Sequence, residues 1–318
     1  MVIPLATKKR RALPRVLFIV GPTSSGKTSL GLALAKKFNG EVINADARQV
    51  YKDFNIGTGK PPEGQWGRYQ RRRAFLVQGV PHYLMDFLPP TNVFTVAQWR
   101  DKAMKAIRFI KRRGHLPMVV GGTGLYIQAL IDNYKIPAVP PQPKFREAME
   151  TKPLSELTDM LRRLDPKALE VVDLKNQRRV LRALEVITFT GKPFTAQRQK
   201  ARPKVEALMI SMAWPREELY RRIDEAAERM IEEGWTDEIR RLHEQGIAWD
   251  APAMTSIGYG ELGAYVRGEC LLEDAIAKAK RATRQYAKRQ MTWFRRDKRI
   301  IWVKSEAEAS SLVGEWLG

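Results

Sequence analysis

Short apolar runs alternate with longer stretches of helical periodicity through the first third of the chain. Val16-Leu17-Phe18-Ile19-Val20 stops at Gly21, and Glu41-Val42-Ile43-Asn44-Ala45 stops at Asp46. Leu116-Pro117-Met118-Val119-Val120 stops at Gly121-Gly122-Thr123-Gly124. Runs of this length, bounded by turn residues, suit buried strands. Between them, Ser29 to Phe38 is apolar at Leu30, Leu32, Leu34, Ala35 and Phe38. Val96 to Lys111 is apolar at Val96, Trp99, Ala103, Ile107 and Ile110. That spacing predicts helices packed on a sheet. Strands alternating with helices predict an α/β fold, a parallel sheet flanked by helices. Ligands in such sheets collect at the carboxyl ends of the strands, where Gly21, Asp46 and the Gly121–Gly124 turn all fall.

The pattern then changes. Pro137, Pro140, Pro141 and Pro143 cluster between Ile136 and Pro143 and mark a boundary. Beyond it, Leu154 to Leu164 and Arg178 to Phe189 read as helices, the second stopped by Thr190-Gly191-Lys192-Pro193. Val205 to Ala213 returns to a strand pattern, and Arg216 to Glu233, Thr236 to Glu244 and Leu272 to Phe294 are helical. The expected division is a basic tail over 1–14, a core formed by 15–138 and 204–318, and an inserted all-helical module over 139–203. No internal repeat is found.

Gly21-Pro22-Thr23-Ser24-Ser25-Gly26-Lys27-Thr28 fits GxxxxGK[ST] between a predicted strand and a predicted helix. That context makes it a phosphate-binding loop and the core P-loop NTPase-like. Backbone N–H groups at a helix N-terminus would wrap a phosphate, where the macrodipole also favours an anion. Lys27 would neutralise phosphate oxygens, and the Thr28 hydroxyl would hold Mg²⁺.

Charge adds a second partner. The 318 residues carry 56 basic and 35 acidic side chains, a net +21. Solubility alone needs far less, so the balance points to a polyanion, nucleic acid before a membrane surface. The single Cys270 excludes an intrachain disulfide and suits the reducing cytoplasm. With His82, His115 and His243 far apart, the usual structural zinc ligand sets cannot be assembled. No apolar stretch is long enough to span a membrane. Lys8, Lys9, Arg10, Arg11 and Arg15 read as a flexible basic tail.

The strand ending at Val120 lacks the acid that ordinarily helps hold Mg²⁺ in an ATPase. Asp46 is the acid near the loop, open to three roles: water-mediated metal ligand, general base, or a turn cap. Segment Lys278 to Arg299 holds ten basic residues and one acid. Arg281, Arg284, Lys288 and Arg295 fall on one helical face, with Tyr286, Trp293 and Phe294 interleaved, as an RNA-binding helix would have them.

Asn44-Ala45-Asp46-Ala47-Arg48-Gln49-Val50-Tyr51 and Ile56-Gly57-Thr58-Gly59-Lys60-Pro61 resemble the signature of tRNA dimethylallyltransferases, also called tRNA isopentenyltransferases. Gly21-Pro22-Thr23, Val120 to Tyr126, Arg182-Ala183-Leu184-Glu185, Ser256-Ile257-Gly258-Tyr259 and Ala282 to Arg295 are similar too, in family order from about Val16 to Trp302. With no Cys/His module near its C-terminus, the chain resembles the bacterial form. The resemblance implies transfer of a dimethylallyl group from dimethylallyl diphosphate to N6 of adenine 37, beside the anticodon of tRNA. The bond broken is carbon–oxygen, so the missing ATPase acid is not needed. It implies that Asp46 is the general base and that Thr23 bonds near the transferred group, with Lys27 on the leaving diphosphate. Gln49 and Thr123 would contact the target nucleotide, and Ala47 and Arg48 lie in the same tRNA-facing run. Arg178, Arg179 and Arg182 would contact tRNA from the inserted module, as would Arg146.

Three positions depart from the family pattern: Ala47 replaces a serine, Gly260 a basic residue, and Ala226 a diphosphate-binding arginine. Arg222 and Arg229, on the same predicted helix, are the candidates to replace it. The competing readings are an isopentenyltransferase acting on free adenylate, a nucleotide kinase, and a non-catalytic RNA-binding relative. The helical module and basic C-terminal helix disfavour the first two. A monomer is expected, because a partner the size of tRNA already accounts for the charged surface.

Overall fold

A computed structural model of the chain describes residues 12–70, 72–134, 137, 139–197 and 201–318. Most of the expected basic tail and part of the proline-rich boundary therefore lie outside the described residues. The chain forms two compact units, one running to Ile127 and resuming over Lys204–Gly318, the other Gln128–Pro203.

The first unit is built on one eight-stranded sheet. Its strands are β1 (Arg15–Val20), β2 (Gly40–Asn44), β3 (Gln65–Tyr69), β4 (Arg72–Val77), β5 (Val80–Tyr83), β6 (Leu116–Gly121), β7 (Glu206–Met212) and β8 (Ile300–Val303). They are ordered β3-β4-β5-β2-β6-β1-β7-β8. From β5 to β8 every pairing is parallel, while β3, β4 and β5 form an antiparallel meander at one edge. Strands β1 and β6 are near-continuous apolar runs because helices cover both faces of a parallel sheet, whereas β2 carries buried Glu41 and Asn44 beside Val42 and Ile43. β1 is buried from Val16 to Val20, and β2 and β6 throughout.

Helices α1 (Lys27–Lys37) and α2 (Val96–Arg112) cover the sheet, and α3 (Gly124–Ile131) follows β6. Thr95 caps α2 through a capping box with Gln98, and the Trp99 indole donates to the Asn44 carbonyl at 2.9 Å. The expected periodicities are thus met, with ends displaced by one or two residues. The meander has no counterpart among the expected elements. Strand β3 is largely exposed, so no apolar run announces it.

The second unit packs α4 (Pro143–Glu150), α5 (Leu154–Leu164), α6 (Ala168–Val171), α7 (Gln177–Thr190) and α8 (Phe194–Gln197) around Leu157, Leu161, Val180, Leu181 and Leu184. Gly191 ends α7 with φ +65°, the left-handed cap that favours glycine. This unit begins at Gln128, inside α3, ahead of the boundary expected at 138/139. The prolines follow only after that helix has carried the chain out of the sheet.

The C-terminal part of the first unit adds α9 (Arg216–Glu232), α10 (Trp235–Glu244), α11 (Tyr259–Val266), α12 (Leu272–Arg295) and α13 (Glu306–Leu317). Helices α10, α11 and the start of α12 form an apolar cluster with Val50, Tyr51 and Phe54. This fixes the segment after β2 on which part of the site depends. Among the described residues no helix is long and apolar enough to cross a membrane.

Candidate active site

Strand β1 delivers the chain into the Gly21–Thr28 loop, which opens α1. Gly26 has φ +82°, a conformation strained for any other side chain, and lets the backbone turn into the helix. Other elements hold the loop from outside. The Trp214 indole donates to the Ser25 carbonyl at 2.9 Å, and Arg222 Nε donates to the Ser24 carbonyl at 3.0 Å. Arg222 also stacks on Trp214, 4.4 Å from the ring centroid. From α12, buried Gln290 accepts from Thr23 N–H at 2.9 Å and donates to the Gly122 carbonyl at 2.8 Å. This one amide ties the phosphate loop to the turn after β6. Gln290 lies within the Ala282 to Arg295 motif, yet its role depends on partners 267 and 168 residues away.

Asp46 leaves the end of β2 in a small polar turn. Its N–H donates to Asn44 Oδ1 at 3.1 Å, and its Oδ1 accepts from Arg48 N–H at 2.8 Å. Among the described residues its second oxygen has no hydrogen-bond partner. Gly121 permits the close approach of the neighbouring strand, since a Cβ there would sit 2.3 Å from the Ala45 carbonyl carbon. Thr123 joins the two strand ends: its Oγ1 accepts from Ala47 N–H, and its N–H donates to the Ala45 carbonyl, both at 3.0 Å.

Lys27, Asp46, Thr23, Thr28, Gln49 and Thr123 line one cleft of about 1460 Å³. That exceeds a typical small-ligand pocket and leaves room for two substrates. Lys27 Nζ donates to the Pro22 carbonyl at 3.0 Å. Burial lowers its pKa, and the Asp46 charge opposes that shift. Tyr286 enters the cleft from α12, its phenol pKa raised first by burial and then by Asp46. Arg289 lines the cleft beside it, 5.7 Å from the Tyr286 ring centroid.

The IPP transferase family model matches residues 49–297, and the isopentenyl transferase model matches residues 14–80. The tRNA dimethylallyltransferase of Thermomicrobium roseum is 41% identical over 291 residues, spanning 90% of this chain and 85% of its own. This chain belongs to the IPP transferase family. A crystal structure of the tRNA isopentenylpyrophosphate transferase of Bacillus halodurans is similar, with TM-score 0.67 and 36% identity, over 96% of this chain and 95% of that one. A eukaryotic dimethylallyltransferase captured acting on tRNA matches with TM-score 0.73 and 32% identity, over 88% of this chain and 69% of its own.

Set against the IPP transferase pattern, the departures now have places. Arg222, Ala226 and Arg229 recur along one face of α9 and all line the cleft. A small side chain therefore sits between two arginines on this cleft-lining face. Around Gly260 a Cβ would meet nothing within 4 Å, so packing does not require glycine there.

Several expected tRNA contacts are committed elsewhere. Arg48 donates to the Pro252 carbonyl at 3.1 Å and to the Thr255 hydroxyl and carbonyl at 3.0 and 3.3 Å, which makes it a strut. In the helical unit, Arg146 is bidentate on Glu185 at 2.9 and 2.8 Å. Arg182 bonds the same carboxylate and the Val139 carbonyl. Arg179 reaches Asp173 at 3.4 Å in an exposed pair, and Arg178 is exposed. On α12, Arg284 grips both oxygens of Asp224 at 2.6 and 2.7 Å, whereas Arg281 and Lys288 are exposed. The face of α12 that reaches the cleft is Thr283, Tyr286 and Arg289. Helical spacing alone selects the adjacent face, because it cannot tell which side packs inward.

Proposed function

We propose that this chain transfers the dimethylallyl group from dimethylallyl diphosphate to N6 of adenine 37 in the anticodon stem-loop of tRNA, releasing diphosphate. The observation that carries this reading is the meeting of Lys27 and Asp46 in one cleft, beyond the ends of β1 and β2, the two strands that flank β6. The loop amides and Lys27 receive the diphosphate. As the C1–O bond breaks, its electron pair stays on the diphosphate oxygen, where those donors stabilise the growing charge. The N6 lone pair forms the new carbon–nitrogen bond, and its proton passes to the free oxygen of Asp46. The adenine must leave its stack to reach this cleft, which a loop permits at lower cost than a duplex.

Mg²⁺ fits this site. Thr28 and Asp46 line the cleft, where the Thr28 hydroxyl would hold the ion and Asp46 would reach it only through water, and no cluster of three or more His, Cys, Asp or Glu among the described residues forms an all-protein cage. A hydroxyl, a carboxylate, water and phosphate oxygens are the usual Mg²⁺ set. When bound, the ion would supply further charge neutralisation to the diphosphate. A monomer working in the cytoplasm, where its tRNA substrate resides, completes the reading.

The test is the mass of tRNA after incubation with dimethylallyl diphosphate and Mg²⁺. One added dimethylallyl group on the nucleoside beside the anticodon is expected. Modification of free adenylate instead would reassign the substrate. Tight tRNA binding without a mass change would support the non-catalytic relative.

A further inference from the structure

Residues 55–60 line the same cleft and are held by a fully enclosed carboxylate. Glu238 on α10 is 1% exposed. It accepts from the backbone N–H groups of Asn55 and Ile56, both at 2.9 Å, and of Gly57 at 3.4 Å. It also accepts from the Tyr259 phenol at 2.6 Å. Lys60 Nζ braces the same loop through the Asn55 side chain at 3.1 Å, with further bonds to the Tyr51 carbonyl and Asp86.

The product of this bracing is the placement of two carbonyls. Those of Thr58 and Gly59 accept from Gln49 Nε2 at 3.2 and 2.9 Å. An amide nitrogen carries two hydrogens, and both are used. The group that Gln49 can still offer the cleft is therefore Oε1, an acceptor. Adenine presents an amino donor at its six-position, whereas guanine presents a carbonyl oxygen there, which would face Oε1 acceptor to acceptor.

We infer that Glu238 is a positioning residue that, through the Asn55–Gly59 loop, locks Gln49 as a hydrogen-bond acceptor and so makes the cleft selective for an amino-bearing base. The inference rests on the reading that adenine enters this cleft. Removing the carboxylate frees the loop carbonyls, lets the amide rotate and removes the preference.

Transfer kinetics are measured for wild type, Glu238→Gln, Gln49→Leu and the double variant, using an anticodon stem-loop. The same stem-loop with guanine at the target position serves as competitor. Glu238→Gln is expected to raise the RNA KM about tenfold, the scale of one missing hydrogen bond. The donor KM should stay within twofold, and discrimination against the guanine competitor should narrow by a similar factor. In the Gln49→Leu background the same change should add almost nothing, because residues acting through one interaction are non-additive. Full additivity, or an equal rise in donor KM, overturns the inference. Should Glu238→Gln fail to fold, Tyr259→Phe removes one of its bonds and enters the same cycle, with additivity again the overturning result. A wild-type chain that modifies no tRNA overturns the functional reading and this inference with it. Additive effects in an active enzyme overturn the inference alone.

Discussion

The helical unit and the cleft each bring basic side chains to a carboxylate, and they use the meeting in opposite ways. Glu185 is fully buried and receives Arg146, Arg182 and the Gln142 N–H. Burial pushes its carboxyl up, but those bonds outweigh it and hold the pKa at about 2. In the cleft, Asp46 keeps an oxygen without a partner, and Lys27 has one carbonyl for its ammonium. A satisfied cluster fastens helices, whereas an incomplete one is ready for a ligand.

The largest expected effect breaks the cleft side of that contrast. Asp46→Asn should slow single-turnover transfer by ~10²-fold or more, the usual range for removal of a general base, while tRNA still binds. The same variant removes the charge that raises the Lys27 pKa. On the proposed role of Lys27, donor binding is lost as pH rises through the Lys27 pKa, and that loss should move to lower pH in the variant. Donor affinity against pH checks it, and an unshifted profile would mean that the two charges do not communicate.

Glu185→Ala breaks the other side. It leaves two guanidinium groups uncompensated, but their side chains are 37% and 31% exposed. The cost should therefore be about 2 kcal/mol, below the range for a fully buried pair. Chemical denaturation should register it, with donor affinity unchanged. Acid titration sharpens the difference between the units. His82, buried in the first unit and bonded to the Val80 carbonyl, has its pKa lowered by burial from 6.5 to about 4. Its contribution is complete above 6.5 and fades as pH falls toward 4. The Glu185 contribution is complete above 4.5 and fades toward 2. Glu185→Ala should flatten only the lower window.

The smallest effects lie on α12. Arg281→Gln and Lys288→Gln should each lower the log–log salt slope of tRNA binding by roughly 0.7 to 0.9 for each phosphate no longer neutralised. Arg284→Gln should leave that slope unchanged, since Arg284 is held by Asp224, and should instead cost a fraction of a kcal/mol of stability. Equal slope changes for all three would show that the Asp224 pair opens to admit RNA.

Local order was open to reading from the chain. The three apolar runs, the glycines of the phosphate loop, the capping signals and Asp46 at a strand end are statements about neighbours in sequence, and dihedral preference and periodicity act at that range. The meander went unread because its outer strand is largely exposed and has no apolar run. The interactions that complete the site were beyond sequence in a stronger sense. Whether an arginine is a phosphate ligand or a strut depends on which acceptor lies within hydrogen-bond reach. For Arg48, Arg146, Arg182 and Arg284 that acceptor is 39 or more residues away or is one carboxylate shared by two side chains. Local pattern along the chain is enough to reveal the fold class, the phosphate loop and the place of Asp46 at a strand end. Which charges are tied down depends on packing, because desolvation and partner geometry are properties of packed surfaces.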